Sequence, residues 1–367
     1  MDTKRVAYLL GAGASEGILK YAEAEKSILM NSITEAISQR IVTDTTNEFA
    51  SVRNELQNDL VAEANIEHLI TLYEISSYAP HNEIARKLKR LFREEIQKRI
   101  DELGTGFSPK LLLALIDMHS IKEVQEDLVL ILTTNYEDLI ERALQQINGG
   151  INYVVGINCF DHSYCIDITK KPPLLKLHGS FNWKNGYPIT VEHDVRTAEE
   201  TVWIPPGVTK KKDAYPFNVI WGRAKELLEC DTLRIIGSSL TQTDWELISL
   251  IHSTHRLRTD DSPHYKVEFI GLPSACKRIK QDYPYLSPIT YTEMEEFTKF
   301  AIDNFLPEYI GRSELPEDEK LNAIATKIEE SENVFEIWLR TKGDILIERG
   351  VDIHTEKKFF EDFVKGE

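Results

Sequence analysis

Cysteine is scarce in this sequence, and its spacing excludes the frameworks that cysteine commonly builds. The chain has four cysteines in 367 residues, and no two of them have the C-x-x-C spacing of zinc knuckles and redox pairs. The four positions are Cys159, Cys165, Cys230 and Cys276. We therefore expect no disulfide framework, no structural zinc and no metal at the functional site.

Long apolar runs are also missing. No stretch approaches about 18 consecutive apolar residues, the length at which a membrane-spanning helix becomes the expected interpretation. The apolar stretch near the beginning, Val6–Leu10, is too short for the apolar part of a signal peptide and runs directly into glycines. We therefore expect a cytoplasmic protein without membrane association.

Positive charge is the third scarcity. The chain has 43 Lys and Arg against 60 Asp and Glu, which gives a formal net charge of −17 at pH 7. Nucleic-acid backbones are bound by clustered Lys and Arg, whereas the basic run here, Lys210–Lys212, is a loop flanked by Pro and Gly. We therefore expect no direct nucleic-acid binding.

What the sequence does contain is a set of short apolar runs that each end in small or polar residues. They are 4–10, 127–132, 174–177, 232–236 and 265–270. Helical patterns separate several of them, and such alternation indicates a parallel sheet covered on both faces. The sequence thus predicts an α/β fold with a Rossmann-like parallel sheet and helices on both faces. In such sheets ligands bind at the carboxyl ends of the strands, where all the candidate motifs lie.

Other regions have the spacing of helices rather than strands. From 19 to 126, apolar residues recur at intervals of three and four. One such set is Ile66, Leu69, Ile70 and Tyr73. We interpret 1–306 as one domain, which this mainly helical insertion at 19–126 interrupts and which includes a helix near Glu293–Asn304. The charged residues 307–367 are predicted to form a helical C-terminal extension.

The first motif is Gly11-Ala12-Gly13-Ala14-Ser15, which follows a strand and precedes a predicted helix. Glycines at such a turn let the backbone approach a pyrophosphate, and the helix N-terminus offers N–H donors and the positive end of the dipole. The third glycine of the dinucleotide-binding pattern G-x-G-x-x-G is absent, since Glu16 takes its place. Taken alone, the motif is equally consistent with a tight strand-to-helix turn.

The second motif is Thr133-Thr134-Asn135-Tyr136-Glu137-Asp138, at the end of the second apolar run. An Asn in this position often only caps the following helix, and the two acids would then complement the helix dipole. The alternative is that Asn135 and one acid belong to a site at the sheet edge.

The third motif is His178-Gly179-Ser180, at the end of the third run. A lone His is more often structural than catalytic. At the edge of a sheet and before a glycine, however, a neutral imidazole could accept a proton near physiological pH.

Two further loops follow the fourth and fifth runs. The hydroxyls and amides of Gly237-Ser238-Ser239 suit phosphate or ribose oxygens, and an ordinary turn is the alternative. We interpret Asp244 as the cap of the next helix. Gly271-Leu272-Pro273 either lines the adenosine end of a nucleotide or simply terminates its strand.

The chain resembles the sirtuin-like family in five motifs and in their order: GAGAS at 11–15, TTNYED at 133–138, LKLHGSFNW at 175–183, IIGSSL at 235–240 and FIGLP at 269–273. The resemblance is to the divergent bacterial branch of that family. A protein deacylase would carry I-P-D-F-R soon after the first glycines, where this chain has GILKY at 17–21, and usually two C-x-x-C pairs that hold zinc.

This resemblance implies that NAD⁺ is the substrate and that its nicotinamide–ribose bond is hydrolysed to nicotinamide and ADP-ribose. It implies that Asn135 holds the ribose and orients water, and that His178 binds ribose hydroxyls and accepts a proton. Glu137 or Asp138 would stabilise the cation that forms. The residues expected to bind the dinucleotide are Gly11, Ala12, Gly13, Ala14, Ser15, Thr133, Thr134, Glu137, Asp138, Gly237, Ser238 and Ser239.

The resemblance also implies a setting. Many proteins of this branch resemble effectors of bacterial antiphage defence that deplete NAD⁺, commonly form homo-oligomers, and in some cases work with a HerA-type ATPase. Two other functions stay open at this stage. One is an NAD-dependent transferase, either a deacylase or an ADP-ribosyltransferase, and the other is a non-catalytic sensor of NAD or ADP-ribose.

Overall fold

A computed structural model describes most of the chain up to residue 293. The described residues are 3–21, 26–45, 49–50, 53, 56, 65–104, 107, 109–117, 119, 126–154, 157–159, 166–186, 189–192, 200–206, 213–228, 230–241, 244–256, 266–284 and 289–293. The predicted extension at 307–367 and the basic run Lys210–Lys212 lie outside them. Of the helix predicted near Glu293–Asn304, only Glu293 is described, and it ends a strand.

The strands of the described residues form two sheets. In chain order they are β1 (Lys4–Leu10), β2 (Glu126–Thr133), β3 (Ile157–Cys159), β4 (Leu174–Lys176), β5 (Gly179–Lys184), β6 (Ile189–Val191), β7 (Thr201–Trp203), β8 (Thr232–Ile236), β9 (Lys266–Gly271) and β10 (Ile289–Glu293).

The larger sheet has six parallel strands in the order β10-β9-β8-β1-β2-β4. Its strands are apolar runs rather than alternating sequences because both faces are covered; all five residues of β8, for example, are buried. The five predicted strands are confirmed, each to within one residue at either end. The edge strand β10 was not predicted.

The smaller sheet has the order β3-β6-β5-β7, with β5 antiparallel to both β6 and β7. Its strand β5 begins directly after His178, and Trp183 on that strand is fully buried. Three of its four strands have three residues each. Runs of that length are too short to show alternation, so the sequence did not predict them.

The helices of the described residues, in chain order, are α1 (Ala12–Tyr21), α2 (Met30–Thr43), α3 (Ile66–Ile75), α4 (Ala79–Asp101), α5 (Lys110–Asp117), α6 (Leu139–Asn148), α7 (Phe217–Leu227), α8 (Trp245–Arg256) and α9 (Pro273–Asp282). None of these helices is long and apolar enough to cross a membrane.

The region between α1 and β2 is helical wherever it is described, as α2 to α5. The spacing that predicted a helix there is explained by burial, since Ile66, Leu69, Ile70 and Tyr73 of α3 all face the core. Asn65 begins α3 as a side-chain cap that accepts a hydrogen bond from the Glu67 amide at 2.8 Å. The first and last residues of the predicted insertion belong to α1 and β2.

The order of the strands creates a crevice at one point of the sheet. From β1 the chain proceeds to β2 and β4 on one side, whereas β8, β9 and β10 lie on the other side. Crossovers between parallel strands are right-handed, so helices that lead in opposite directions cover opposite faces. The helices that follow β1 and β8 therefore lead to opposite faces of the sheet, and such a switch point is where open α/β sheets bind ligands.

Candidate functional site

A cleft of about 930 Å³ opens at the carboxyl edge of the sheet, across the β1/β8 switch point. The ends of β1, β2, β4, β8 and β9 all contribute lining residues. The predicted site residues among them are Gly11, Ala12, Gly13, Thr134, Asn135, Glu137, His178, Gly237, Ser238 and Ser239. Four other predicted residues, Ala14, Ser15, Thr133 and Asp138, do not line the cleft.

The loops after β1 and β8 are fastened to each other through their backbones. The Gly13 amide donates to the Gly237 carbonyl at 2.7 Å, and the Gly11 amide donates to the Ile236 carbonyl at 3.0 Å. Gly237 has a φ of +62°, and a Cβ there would lie 2.1 Å from the Ala14 nitrogen. The contact between the two loops thus requires these glycines before any ligand is considered.

Glu16, which replaces the third glycine, has a different structural role. It lies on α1, lines the cleft and is mostly buried. Its Oε2 accepts hydrogen bonds from the Ser27 hydroxyl at 2.8 Å and the Ile28 amide at 3.0 Å. It therefore holds the segment Ile28–Asn31 as a wall of the cleft, which the sequence did not predict.

Asn135 is fixed against the glycine loop. Its Nδ2 donates to the Gly11 carbonyl at 3.0 Å and to the Ser15 hydroxyl at 2.8 Å, while its amide nitrogen donates to the Thr133 hydroxyl at 3.0 Å. The Thr133 hydroxyl donates in turn to the Leu10 carbonyl at 2.9 Å. Thr133 and Ser15, behind the cleft surface, thus set the position of Asn135 rather than face a ligand.

The two neighbouring acids have different surroundings. Glu137 is buried, lines the cleft and accepts a hydrogen bond from the Ser15 hydroxyl. Asp138 lies just before α6 and forms an ion pair with Arg142, one helical turn on, at 3.1 Å. Of the two candidates, Glu137 is therefore the acid that faces the cleft.

His178 lies in an aromatic wall. The imidazole is 4% exposed and stacks on Tyr136, with ring centroids 6.2 Å apart. Tyr136 stacks in turn on Phe181 at 5.1 Å. The next residue, Gly179, has a φ of +76°, and a Cβ there would lie 2.2 Å from the Val202 carbonyl oxygen. The glycine after His178 therefore lets the chain turn sharply into β5.

A fully buried ion pair lies behind this wall. Lys176 donates to Glu141 Oε1 at 2.7 Å and to the Glu137 carbonyl at 2.6 Å, and both charged side chains are completely buried. Tyr153 also donates to Glu141 Oε1, at 3.2 Å. Burial raises the pKa of Glu141 above its ordinary value, although the Lys176 ammonium acts in the opposite direction.

The helical region between α1 and β2 supplies a further wall that the sequence did not predict. Its lining residues are Ile28, Leu29, Met30, Asn31, Asn65, Glu67, Phe92 and Ile96. Their helical spacing accounted for the helices themselves and gave no sign of which ends would meet the sheet edge. A single acid at a helix start, such as Glu67, is ordinary, so no pattern distinguished it.

The opposite end of the cleft is formed by the residues after β8 and β9. Asp244 immediately precedes α8 and lines the cleft, and its role as the cap of that helix stays a prediction. Gly271 and Leu272 line this end, together with Arg278 of α9, which donates to the Ser239 carbonyl. Gly271 thus ends its strand and, with Leu272, borders the cleft.

Acidic groups predominate among the charged side chains that line the cleft. Glu16, Glu67, Glu137 and Asp244 are carboxylates, whereas Arg278 is the guanidinium among the described lining residues. Burial raises the pKa of Tyr136 well above its ordinary value, and the charges of Glu67, Asp244 and Glu137 add to the effect. Within the described residues, no group of His, Cys, Asp or Glu is arranged to hold a metal ion.

One family model matches part of the chain. Residues 129–283 match the family model of the SIR2-like domain, which covers the strands that carry Asn135, His178 and Gly237 and supports a sirtuin-like relationship. No curated protein matches the chain. Two solved structures, both ADP-ribose complexes of Sir2 homologue mutants, show 12% sequence identity over 84% of this chain and 94% of theirs, with TM-scores of 0.39 and 0.37.

Proposed function

We propose that this protein is an NAD⁺ hydrolase that cleaves the nicotinamide–ribose bond and releases nicotinamide and ADP-ribose. The observation that carries the proposal is that Asn135, Glu137 and His178 line one cleft with the two glycine loops, at the switch point of the sheet. The SIR2-like match over 129–283 supports an NAD-related function.

The cleft has the size and composition that a dinucleotide needs. Its volume of about 930 Å³ lies in the range of small-molecule sites, about 300–1,000 Å³. The Gly11 and Gly13 amides are bonded to the loop after β8, so the positive end of the α1 dipole and the hydroxyls of Ser238 and Ser239, which line the cleft, would face the pyrophosphate. The adenosine would lie toward Leu272, after β9, and the nicotinamide ribose toward Asn135 and His178, after β2 and β4.

The charge of the cleft suits the reaction. The bond between nicotinamide and C1′ breaks with its electron pair going to the nicotinamide nitrogen, so the leaving group departs neutral and needs no general acid. The ribose passes through an oxocarbenium-like state, as in glycoside hydrolysis. Glu137, whose carboxylate is buried at the cleft wall, would stabilise that cation electrostatically.

Water then completes the reaction. Because Asn135 Nδ2 is engaged by Gly11 and Ser15, its Oδ1 is the atom that would accept a hydrogen bond from a ribose hydroxyl or from water. His178 would accept a proton as water adds to C1′, and the proton then passes to solvent. A positioned general base contributes about 10²–10⁴-fold to a rate.

The test is incubation of the purified protein with NAD⁺, with nicotinamide and ADP-ribose followed by chromatography. We expect the wild type to turn NAD⁺ over. The rate should fall by about 10²–10⁴-fold in His178→Ala and by a comparable factor in Asn135→Ala. Matched controls are His81→Ala and Asn152→Ala, which lie away from the cleft. The His81 ring is hydrogen-bonded to the Ser76 hydroxyl, and the Asn152 side-chain amide donates to the Ile168 carbonyl.

Each outcome of this experiment has a definite meaning. Full hydrolysis by His178→Ala would contradict the proposed base. Tight NAD⁺ binding without turnover in the wild type would indicate a sensor. Formation of acyl-ADP-ribose from an acylated peptide, or ADP-ribosylated protein detected by mass, would indicate a transferase instead of a hydrolase.

We also propose the setting that the resemblance implies: a cytoplasmic effector of antiphage defence that depletes NAD⁺. We propose that 1–306 forms one domain interrupted by the helical segment, that this segment and 307–367 build a homo-oligomer, and that a HerA-type ATPase is a candidate partner. A monodisperse monomer in light scattering at micromolar concentration would contradict the homo-oligomer.

A further inference from the structure

Lys176 is a charged residue in the middle of an apolar strand. Its neighbours Leu174, Leu175 and Leu177 are fully buried, and so is Lys176 itself. A buried ammonium is unfavourable unless its charge is paired and its N–H groups are all bonded. An apolar residue would fill this position without that requirement, so the packing of the core does not explain the lysine.

All three N–H groups of Lys176 can be assigned to acceptors. Nζ lies 2.7 Å from Glu141 Oε1, 2.6 Å from the Glu137 carbonyl and 3.4 Å from the Tyr136 carbonyl. The last two acceptors are the backbone of the loop that carries Asn135 and Glu137. The ammonium thus joins that loop to β4, two residues before His178.

Two further donors to the backbone of the same loop come from the segment that follows His178. The Tyr136 carbonyl accepts from the Ser180 hydroxyl at 3.0 Å and from the Phe181 amide at 3.0 Å. The backbone of the loop after β2 is therefore held from both sides of His178. Lys176 is the charged member of this set, and Glu141 on α6 supplies its counter-charge.

We propose that the Lys176–Glu141 ion pair is a positioning pair that fixes Glu137 relative to His178, so that it controls turnover more than NAD⁺ binding. This inference rests on the proposed hydrolase. Neither side chain lines the cleft, and the pair acts through the backbone carbonyls of Tyr136 and Glu137. A displacement of about 1 Å at a reacting group can lower a rate about 10²-fold, whereas the glycine loops that would hold the pyrophosphate are fastened to each other by backbone hydrogen bonds.

The test variant is Lys176→Met with Glu141→Gln. Methionine keeps much of the length of lysine, and glutamine keeps an acceptor for the Tyr153 hydroxyl, so the double variant leaves no unpaired buried charge. We expect kcat to fall at least about tenfold, while the Kd for NAD⁺ from calorimetry changes far less. Amide hydrogen exchange of the peptide that contains residues 133–141 should become faster.

The matched control is Glu126→Gln. Glu126 belongs to a second buried ion cluster, where Arg234 on β8 bonds to it at 2.8 and 2.9 Å and to Glu268 at 2.5 Å. Arg234 also lies two residues before the end of a strand that leads into the cleft. This control should lower the melting temperature, because it weakens a buried cluster, and should leave kcat and the exchange of 133–141 unchanged.

The outcomes separate the inference from the proposed function. Unchanged kcat and unchanged exchange in the Lys176→Met, Glu141→Gln variant would overturn the positioning pair. Equal losses of kcat in that variant and in Glu126→Gln at matched melting temperatures would also overturn it, since the pair would then serve only the fold. If the wild type does not hydrolyse NAD⁺, the proposed function fails, and the exchange comparison still decides whether the pair holds the loop.

Discussion

The two halves of the cleft are built by different means. The half after β1 and β8 is held by backbone hydrogen bonds between glycine loops that approach too closely for a side chain. The half after β2 and β4 is held by side chains, namely Ser15, Thr133, Lys176 and Ser180, which bond to Asn135, to Glu137 or to the backbone beside them.

This difference predicts which substitutions affect the fold and which affect only the reaction. A glycine loop that is part of the sheet edge cannot be altered without altering how β1 and β8 continue into their helices. A side chain that only orients another side chain can be replaced while the strands stay in place. Substitutions in the first half should therefore affect fold and binding together, whereas those in the second half should affect turnover alone.

The largest effect is expected for Gly237→Ala. Alanine at a φ of +62° would place its Cβ 2.1 Å from the Ala14 nitrogen and 2.4 Å from the Gly13 carbonyl carbon, so the two loops must separate. We expect a loss of about 4 kcal/mol in the free energy of unfolding, measured with urea, which is a large value for one substitution. Binding of NAD⁺ should be lost with it.

Gly149→Ala is the matched control for this substitution. Gly149 ends α6 with a φ of +65°, and no atom lies within 4 Å of where its Cβ would be. Only the left-handed conformation is then penalised, at about 1–2 kcal/mol. Equal losses in the two variants would mean that the contact between the loops does not require Gly237, and the contrast between the two halves would collapse.

The next largest effect is expected for Glu137→Gln, in the half held by side chains. The amide keeps the shape and an acceptor for the Ser15 hydroxyl, but it removes the negative charge that would face the oxocarbenium. We expect hydrolysis of NAD⁺ to fall on the order of 10²-fold, with the melting temperature and the NAD⁺ affinity nearly unchanged.

Asp138→Asn distinguishes this role from that of the adjacent acid. Asp138 pairs with Arg142 on α6 and does not line the cleft, so its substitution should leave turnover close to that of the wild type. A larger loss of turnover in Asp138→Asn than in Glu137→Gln would reverse the assignment.

The sheet and the positions of the motifs could be predicted because their causes are local. Apolar runs such as Val6–Leu10 specify buried parallel strands, and the carboxyl ends of such strands must meet at one edge. For the same reason Asn135, His178 and Gly237 could be expected near one another before the structure was known. Their catalytic and binding roles remain predictions.

What could not be predicted depends on packing between distant elements. Lys176 lies in an apolar strand, and nothing in the sequence indicates that Glu141 of α6 will neutralise its charge. Glu16 takes the place of the third glycine in the dinucleotide-binding pattern, and nothing in the sequence indicated that its carboxylate would anchor the segment at Ser27 and Ile28. Helical spacing predicted α3 but could not place Glu67 at the cleft.

The smallest effect is expected in the segment that Glu16 anchors. Just before it, Lys26 donates to Glu102 at 2.8 and 3.1 Å, and both side chains are more than two-fifths exposed. Exposed ion pairs contribute about 0–1 kcal/mol and are screened by salt. Glu102→Gln should therefore lower the free energy of unfolding by less than about 1 kcal/mol at pH 7 and leave NAD⁺ turnover unchanged.

The pH dependence of this pair has a definite sign. The hydrogen bond from Lys26 lowers the pKa of Glu102 below its ordinary value of 4.5. A carboxyl whose pKa is depressed on folding stabilises the fold above that ordinary value and loses its contribution as the pH falls through the depressed pKa. Urea unfolding of the wild type and Glu102→Gln should differ at pH 7, and the difference should shrink as the pH falls below 4.5 and in high salt. A difference that persists in acid would mean that Glu102 supports the cleft wall by packing rather than by charge.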